Sequence, residues 1–412
     1  MRAMSPDGGV GERIRAYRRR RGLSQAALAH LVGRSESWLS QVERSILPVE
    51  NLGVLVKLAE VLKVDVRVLT GLPFYLAPDG GVQLTEVEAI RSALSSYSEI
   101  EALLNPSRFD VAPASLSDLR KEVYVAWQLR QASRYQELGR KLPGLLTVTE
   151  AATRYYEGDD LLETRGLLSE VYQVTRAMLR KMGETEYAWI AGDRAIQAAR
   201  LAGRPLDVAA GARALGLVFL AEGRLRQAET VVMRGVNGLE TYVASGNPEY
   251  WSVWGALLLV AALIAARKGS TSAAAEYIEE ASRAAHYLGR DRNDLRTAFG
   301  PTNVAIHRVS VAVELGDPGR ALREGDNVNV ERLPAEFRER RSTLLVEVAR
   351  ARAQQGDRGT AILHLLEAEA IAPEEVRFNF IVREMLRDFL KKERKLRTPG
   401  LWSFAQRLGV LS

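Results

Sequence analysis

Arg13, Arg15, Arg18, Arg19, Arg20 and Arg21 crowd one short segment near the start of the chain. Each guanidinium could neutralise a backbone phosphate of a nucleic acid and release its counterions, adding affinity that ignores base sequence. A solvated helix face is the plainer reading, and at helical spacing the six cannot all point one way. Other reactive residue types are thinly spread. His30, His286, His307 and His364 lack the spacing of metal ligands, and cysteine is absent. No phosphate-cradling glycine loop, HExxH pair or nucleophile elbow is present either. The expectation is a protein that binds rather than catalyses, with no cofactor and no metal.

The residues after the arginines decide between the two readings. Ser24 stands where a helix N-cap belongs, Gln25 opens a helix expected to bury Leu28 and Leu31, and Gly33 ends it. Ser35 is a second N-cap; Glu36, Ser37 and Trp38 open the next helix, with Leu39 and Val42 inward at helical spacing. Two short helices around a glycine turn make a helix-turn-helix, and beside one the arginines are better read as phosphate contacts. Ile14 and Tyr17 bring the arginine helix to the same small core. Leu52, Leu55, Val56, Ala59 and Leu62 trace an amphipathic closing helix, and Val66 to Leu69 give a last short turn.

Gln25, Ala26, Ala29, Gly33, Ser35, Leu39, Val42 and Glu43 fall where the phage-repressor (XRE, Cro-like) DNA-binding family has its matching residues, so the stretch from about Val10 to Gly71 resembles that family. The resemblance implies that the second helix enters the major groove of double-stranded DNA while the preceding helix crosses the backbone. Carried over by position, it makes Glu36, Ser37 and Gln41 base readers with Arg34 and Trp38 beside them, and Gln25 a phosphate anchor. Arg18 and Arg19 are then the first arginines expected on phosphates. The chemistry fits in part: Gln can bond adenine bidentately and Glu can accept from a cytosine amine. Trp38 stays open between a groove contact and packing on the domain surface. Ser45 departs from the family, which usually closes this helix with Gly.

The chain has 412 residues, 47% hydrophobic and 26% charged, with a net charge of +6, a globular balance with room for more than one domain. The N-terminus lacks the apolar stretch of a secretory signal. The apolar run Trp254 to Ala266 is shorter than the roughly 20 residues a membrane span needs. A cytoplasmic protein without membrane contact is expected.

The fold class expected is all-α: a five-helix DNA-binding bundle over 1–71, a linker over 72–84, and a tetratricopeptide-like helical solenoid over 85–412. Two prolines and a double glycine mark the linker, where Phe74 and Tyr75 could dock on either domain. Beyond it, Gly183, Gly203, Gly223, Gly246, Gly269, Gly289, Gly316, Pro334, Gly356 and Pro373 recur in steps of about twenty residues. Gly316-Asp317-Pro318-Gly319-Arg320-Ala321 is echoed by Gly356-Asp357-Arg358-Gly359-Thr360-Ala361, with Ala placed to let paired helices approach closely. Before Gly183 the expectation is two long helices, Leu119 to Leu142 and Asp160 to Met182, with Pro143-Gly144 between them.

A phage-repressor domain followed by such a solenoid resembles the peptide-sensing regulators of the RRNPP family. The resemblance implies a concave face that binds a short signal peptide, a C-terminal part that forms a homodimer, and operator affinity that changes on binding. The ligand stretch expected is Phe299 to His307, where Asn303 and His307 stack at i and i+4; an internal bond between neighbouring helices is the competing reading. Asn237, Arg194 and Trp251 are further ligand candidates, with Tyr187 and Trp254 beside them, although aromatics at helical spacing also suit a core. Lys391, Lys392, Arg394, Lys395 and Arg397 read as a solvated helix end, and Leu401, Trp402, Phe404 and Leu408 as a capping helix or dimer contact. The alternative function is a DNA-tethered adaptor whose solenoid docks a protein partner and takes no small ligand.

Overall fold

The computed structural model describes residues 10–21, 23–47, 49, 52–62, 69, 84–96, 114–335, 337–392 and 399–410. Two compact units divide the chain, Met1–Ala77 and Pro78–Ser412. All regular structure among the described residues is helical. The helical turn at 66–68, the linker positions 72–83 with Phe74 and Tyr75, and the basic residues Arg394, Lys395 and Arg397 lie outside the described residues.

The first unit contains α1 (Val10–Arg20), α2 (Gln25–Leu31), α3 (Glu36–Glu43) and α4 (Leu52–Leu62). Ile14, Leu28, Leu39, Val42, Leu58 and Leu62 make its core, with Leu69 buried beside them. Both short helices start as their caps dictate. Ser24 Oγ accepts from the Ala27 N–H at 3.0 Å, and Ser35 Oγ accepts from the Trp38 N–H at 3.2 Å. Leu31, expected inside, is 48% exposed. On so short a helix the inward stripe is already filled by Leu28, Ala29 and the following Val32.

The second unit opens with α5 (Leu84–Ser95) and continues as hairpins: α6 (Leu116–Gln131) with α7 (Tyr135–Tyr155), α8 (Gly158–Lys181) with α9 (Thr185–Leu201), α10 (Pro205–Ala221) with α11 (Leu225–Val243). Next come α12 (Pro248–Arg267) with α13 (Thr271–Leu288), α14 (Pro301–Glu314) with α15 (Pro318–Asp326), and α16 (Arg338–Gln354) with α17 (Arg358–Ile371). The short α18 (Pro373–Arg377), α19 (Phe380–Lys392) and α20 (Pro399–Arg407) complete it. Glycines with φ between +66° and +83° make most of the turns between these helices. Asp317 and Asp357 cap α15 and α17 by accepting from Arg320 and Thr360 N–H groups, and Ala321 and Ala361 behind them are fully buried.

The turn between α6 and α7 corrects the sequence reading. The break falls at Ser133, which takes the left-handed φ of +58° that glycine takes elsewhere, and Pro143 lies inside α7 instead of ending a helix. Thr147 Oγ1 donates to the Pro143 carbonyl at 3.1 Å, and the helix runs on although Pro143 has no N–H to offer the Gly139 carbonyl. The helix α12 is long and apolar enough to span a bilayer by length and composition, and 72% of its apolar window is buried in this unit, as in a core helix. Leu401, Phe404 and Leu408 bury against Val346, Leu365 and Leu386, so α20 closes the end of the stack.

The first helix of each hairpin packs on its own partner and also on the first helix of the next hairpin, through α6, α8, α10, α12, α14 and α16. Those helices therefore share one inner side. The two ends of the row meet: Tyr135 Oη donates to Glu375 at 2.7 Å, the Tyr135 and Gln136 amides donate to Glu374, and Lys181 pairs with Glu375. Gln131 and Asn293 exchange amide hydrogen bonds of 3.0 and 3.2 Å, which ties the loop before α14 to the end of α6.

Candidate DNA interface and the interior of the helical unit

Glu43, at the end of α3, holds the helix-turn-helix together. It is 2% exposed, accepts from Arg18 Nε at 2.5 Å and Nη2 at 2.8 Å, and takes a third bond from Gln25 Nε2 at 2.8 Å. Burial pushes its carboxyl pKa up, but the hydrogen bonds from Arg18 and Gln25 outweigh burial and hold it below the usual carboxylate range. Arg18 also donates to the Leu23 carbonyl at 2.8 Å. Its guanidinium is thereby consumed inside the unit, which removes Arg18 from the residues expected on phosphates. Gln25 shares its amide with Glu43, so it reaches outward only through what that bond leaves free.

The residues around the start of α3 stand differently. Arg34, Ser35, Glu36 and Ser37 are exposed and Gln41 is half-buried, as a helix laid in a groove requires. Trp38 packs half-buried against the core, with the Arg34 guanidinium 5.6 Å from its ring centroid, so packing accounts for Trp38. Along α1, Arg15 and Arg19 are exposed while Arg13 Nε donates to the Leu69 carbonyl at 3.0 Å. Arg15 and Arg19 thus stand as outward charges, while Arg13 and Arg18 are ties within the unit.

In the second unit the inner side encloses two adjoining chambers. The first, of about 80 Å³, is lined by Arg130, Arg176, Arg180, Arg213, Arg296 and Arg340 together with Trp127, Gln173 and the carboxylates Glu170, Asp207 and Glu339. The second, of about 200 Å³, shares Arg180, Arg213, Leu217, Glu339 and Arg340 and adds His307 and Ser310. Glu339 lies 3.4 Å from Arg130 and 3.8 Å from Arg340, and Glu170 lies 3.7 Å from Arg296. Burial pushes the Asp207 carboxyl up to about 6 and raises that of Glu170 as well.

The ligand residues expected from sequence scatter over this unit. His307 alone among them lines a chamber. Its Nδ1 lies 2.9 Å from the Asn303 carbonyl, which can only accept, so Nδ1 carries the proton. Asn303 is buried with Oδ1 unpartnered and lines neither chamber. Arg194 donates to the Leu94 carbonyl at 2.8 Å and sits over Tyr172, so it ties α9 to α5. Trp251 packs between Trp254 and Tyr287, and Asn237 is exposed on α11 away from both chambers. None of these three reaches a chamber: Arg194 and Trp251 pack within the unit, and Asn237 stands on the surface. The interior arginines escaped sequence reading because they come from helices far apart in the chain; the available signal was an Arg within each apolar stripe, such as Arg213 between Ala212 and Ala214.

Fold and site define a helix-turn-helix protein with an appended helical unit. A model of the helix-turn-helix domain family matches residues 10–70. The regulator SinR of Bacillus subtilis is 31% identical over 87 residues, which cover 21% of this chain and 78% of SinR. The regulator RamB of Mycobacterium tuberculosis is 45% identical over 56 residues, and the match spans only 12% of RamB's length. The chain belongs to the HTH-type transcriptional regulators, with a phage-repressor-like DNA-binding domain. Among solved structures, Bacillus thuringiensis PlcR in complex with the peptide PapR7 and DNA covers 88% of this chain at 13% identity and a TM-score of 0.28. BtubC from P. vanneervenii covers 61% at 16% identity and a TM-score of 0.35.

Proposed function

We propose that this regulator reads its operator through the first turn of α3 and that its helical unit senses a small signal that changes operator binding. The observation that carries the reading is that Glu36 and Ser37 stand exposed, with Gln41 half-buried one turn on, on a helix whose other end is clamped by the Arg18–Glu43–Gln25 cluster. A clamped helix presents its side chains at fixed angles, as base readout needs. Arg15, Arg19 and Arg34 supply phosphate contacts around it. A homodimer would place two such helices on half-sites about one helical turn apart. The enclosed interior of the second unit supports sensing, and a short peptide is the ligand that the family resemblance implies.

Binding of the full chain to its own upstream DNA, with and without a low-molecular-mass extract of the producing cells, tests the reading. Gln41→Ala should alter base preference while the fold stays intact. Arg15→Ala with Arg19→Ala should weaken binding to all DNA and flatten the salt slope by about one for each phosphate that is no longer neutralised. Unchanged preference removes the base-reading role; an unchanged slope returns those arginines to a solvated face. The adaptor alternative draws support from an open groove of about 710 Å³ along α9, α10 and α11, lined by Ile196, Val208, Leu239 and Tyr242. Operator binding that no extract alters would favour it.

A further inference from the structure

Arg176, Arg180 and Arg213 face the first chamber with no carboxylate of their own. None forms an ion pair among the described residues, and the Nε of each is buried without a hydrogen-bond partner. Arg176 and Arg180 lie at i and i+4 on α8, one above the other, and Arg213 approaches from α10. Arg176 is 6% exposed. The acids nearby are otherwise engaged: Glu339 is divided between Arg130 and Arg340, Glu170 faces Arg296, and burial drives Asp207 and Glu170 toward their neutral forms. The three guanidiniums therefore repel one another inside the protein. Burial and the neighbouring arginines depress all three, Arg213 to about 10. A guanidinium still keeps its proton at neutral pH, so the chamber holds positive charge without a partner, an arrangement that costs free energy unless an anion enters.

A strained segment walls the same chamber. Leu295, Arg296 and Ala298 line it with φ of +46°, +60° and +51°, left-handed values that such side chains rarely adopt. Strain of this kind persists where surrounding contacts hold it and is concentrated at ligand clamps. Here the Gln131–Asn293 amide pair and the Arg296–Glu170 contact hold it, with the Arg296 guanidinium 5.8 Å from the centroid of the Trp127 ring.

We infer that this chamber is the binding site of a compact, multiply charged anion, a phosphate or di- or tricarboxylate head group, gripped by Arg176, Arg180 and Arg213. Guanidinium forks match either oxygen pattern with paired hydrogen bonds. The small arginine-lined chamber of about 80 Å³ suits such a head group, with the second chamber receiving any uncharged remainder. The inference rests on the reading that the helical unit holds the signal, and it names that signal's charge.

The test is thermal unfolding of the full chain in chloride at fixed ionic strength, with added inorganic phosphate, pyrophosphate, citrate or an acidic hexapeptide. A saturable rise in Tm of a few degrees is expected with phosphate compounds or with citrate, and which of them acts identifies the head group. Arg176→Met with Arg213→Met should raise Tm in chloride alone, because it removes repelling charge, and should abolish the response to the anion. Glu339→Gln, which removes a competing acid, should tighten anion binding several-fold. A rise that survives the double substitution, a response to the hexapeptide alone, no response at all, or weaker binding by Glu339→Gln overturns the site. Operator affinity is measured alongside. An anion that raises Tm without altering DNA binding upholds the site and removes the sensing role; an extract that alters DNA binding while no anion raises Tm does the reverse.

Discussion

His307 is a neutral imidazole by construction. Its Nδ1–H donates to the Asn303 carbonyl, and burial, then the charge of Arg340, push its pKa down to about 3 against the opposing pull of that hydrogen bond and of Glu339. The unfolded chain takes up that proton near pH 6.5, so the folded state loses stability as pH falls from about 6.5 toward 3 and has its full contribution above 6.5. Asp207, raised to about 6, works in the opposite sense, favouring the fold at low pH and losing its contribution as pH rises through 6. Comparing wild type with His307→Gln cancels Asp207. Denaturant unfolding should show wild type losing about 2 kcal/mol relative to the variant between pH 7 and pH 5; a pH-independent difference would mean that the ring titrates in the fold as it does in the unfolded chain. At this scale sequence says least. It marks His307 as interesting through its spacing from Asn303, yet nothing local tells that Glu43 spends Arg18, because the two partners are 25 residues apart.

Helix boundaries were the most legible feature, since caps and turn glycines act through their immediate neighbours. Ser24 and Ser35 do in the structure what their position announces, and Asp317 and Asp357, noted in sequence only as parts of a repeat, cap their helices in the same way. Ser133 hid a turn because a serine at left-handed φ has no mark in sequence, while Pro143 marked a turn that does not exist. Gly11 was overlooked for the opposite reason: it is not at a turn. A Cβ there would stand 1.9 Å from the Val42 carbonyl oxygen, so α1 touches the end of α3 backbone to backbone. Gly11→Ala must push the two helices apart, at an expected cost of about 1–3 kcal/mol to the DNA-binding unit. Urea unfolding followed by operator binding would check it: reduced stability together with reduced affinity is expected, and a neutral substitution would show that the two backbones approach loosely.

For the whole molecule, sequence announces a run of hairpins and is silent on where their ends go. The closing bond from Tyr135 to Glu375 joins residues 240 apart, and no periodicity encodes it. Tyr135→Phe leaves Glu375 one donor short and should cost about 1 kcal/mol. Hydrogen exchange should show the loss as faster opening of α18 and the start of α7 together; opening confined to one of them would mean that the ends are held independently. The closure also bears on how the chain is made. At about 5–20 residues per second a ribosome delivers Glu375 roughly 10–40 seconds after Lys181, its partner 194 positions earlier. During that interval the first hairpins must wait with a lysine that has no counter-ion, so an incomplete chain lacks the charge that completes its beginning as well as its cap.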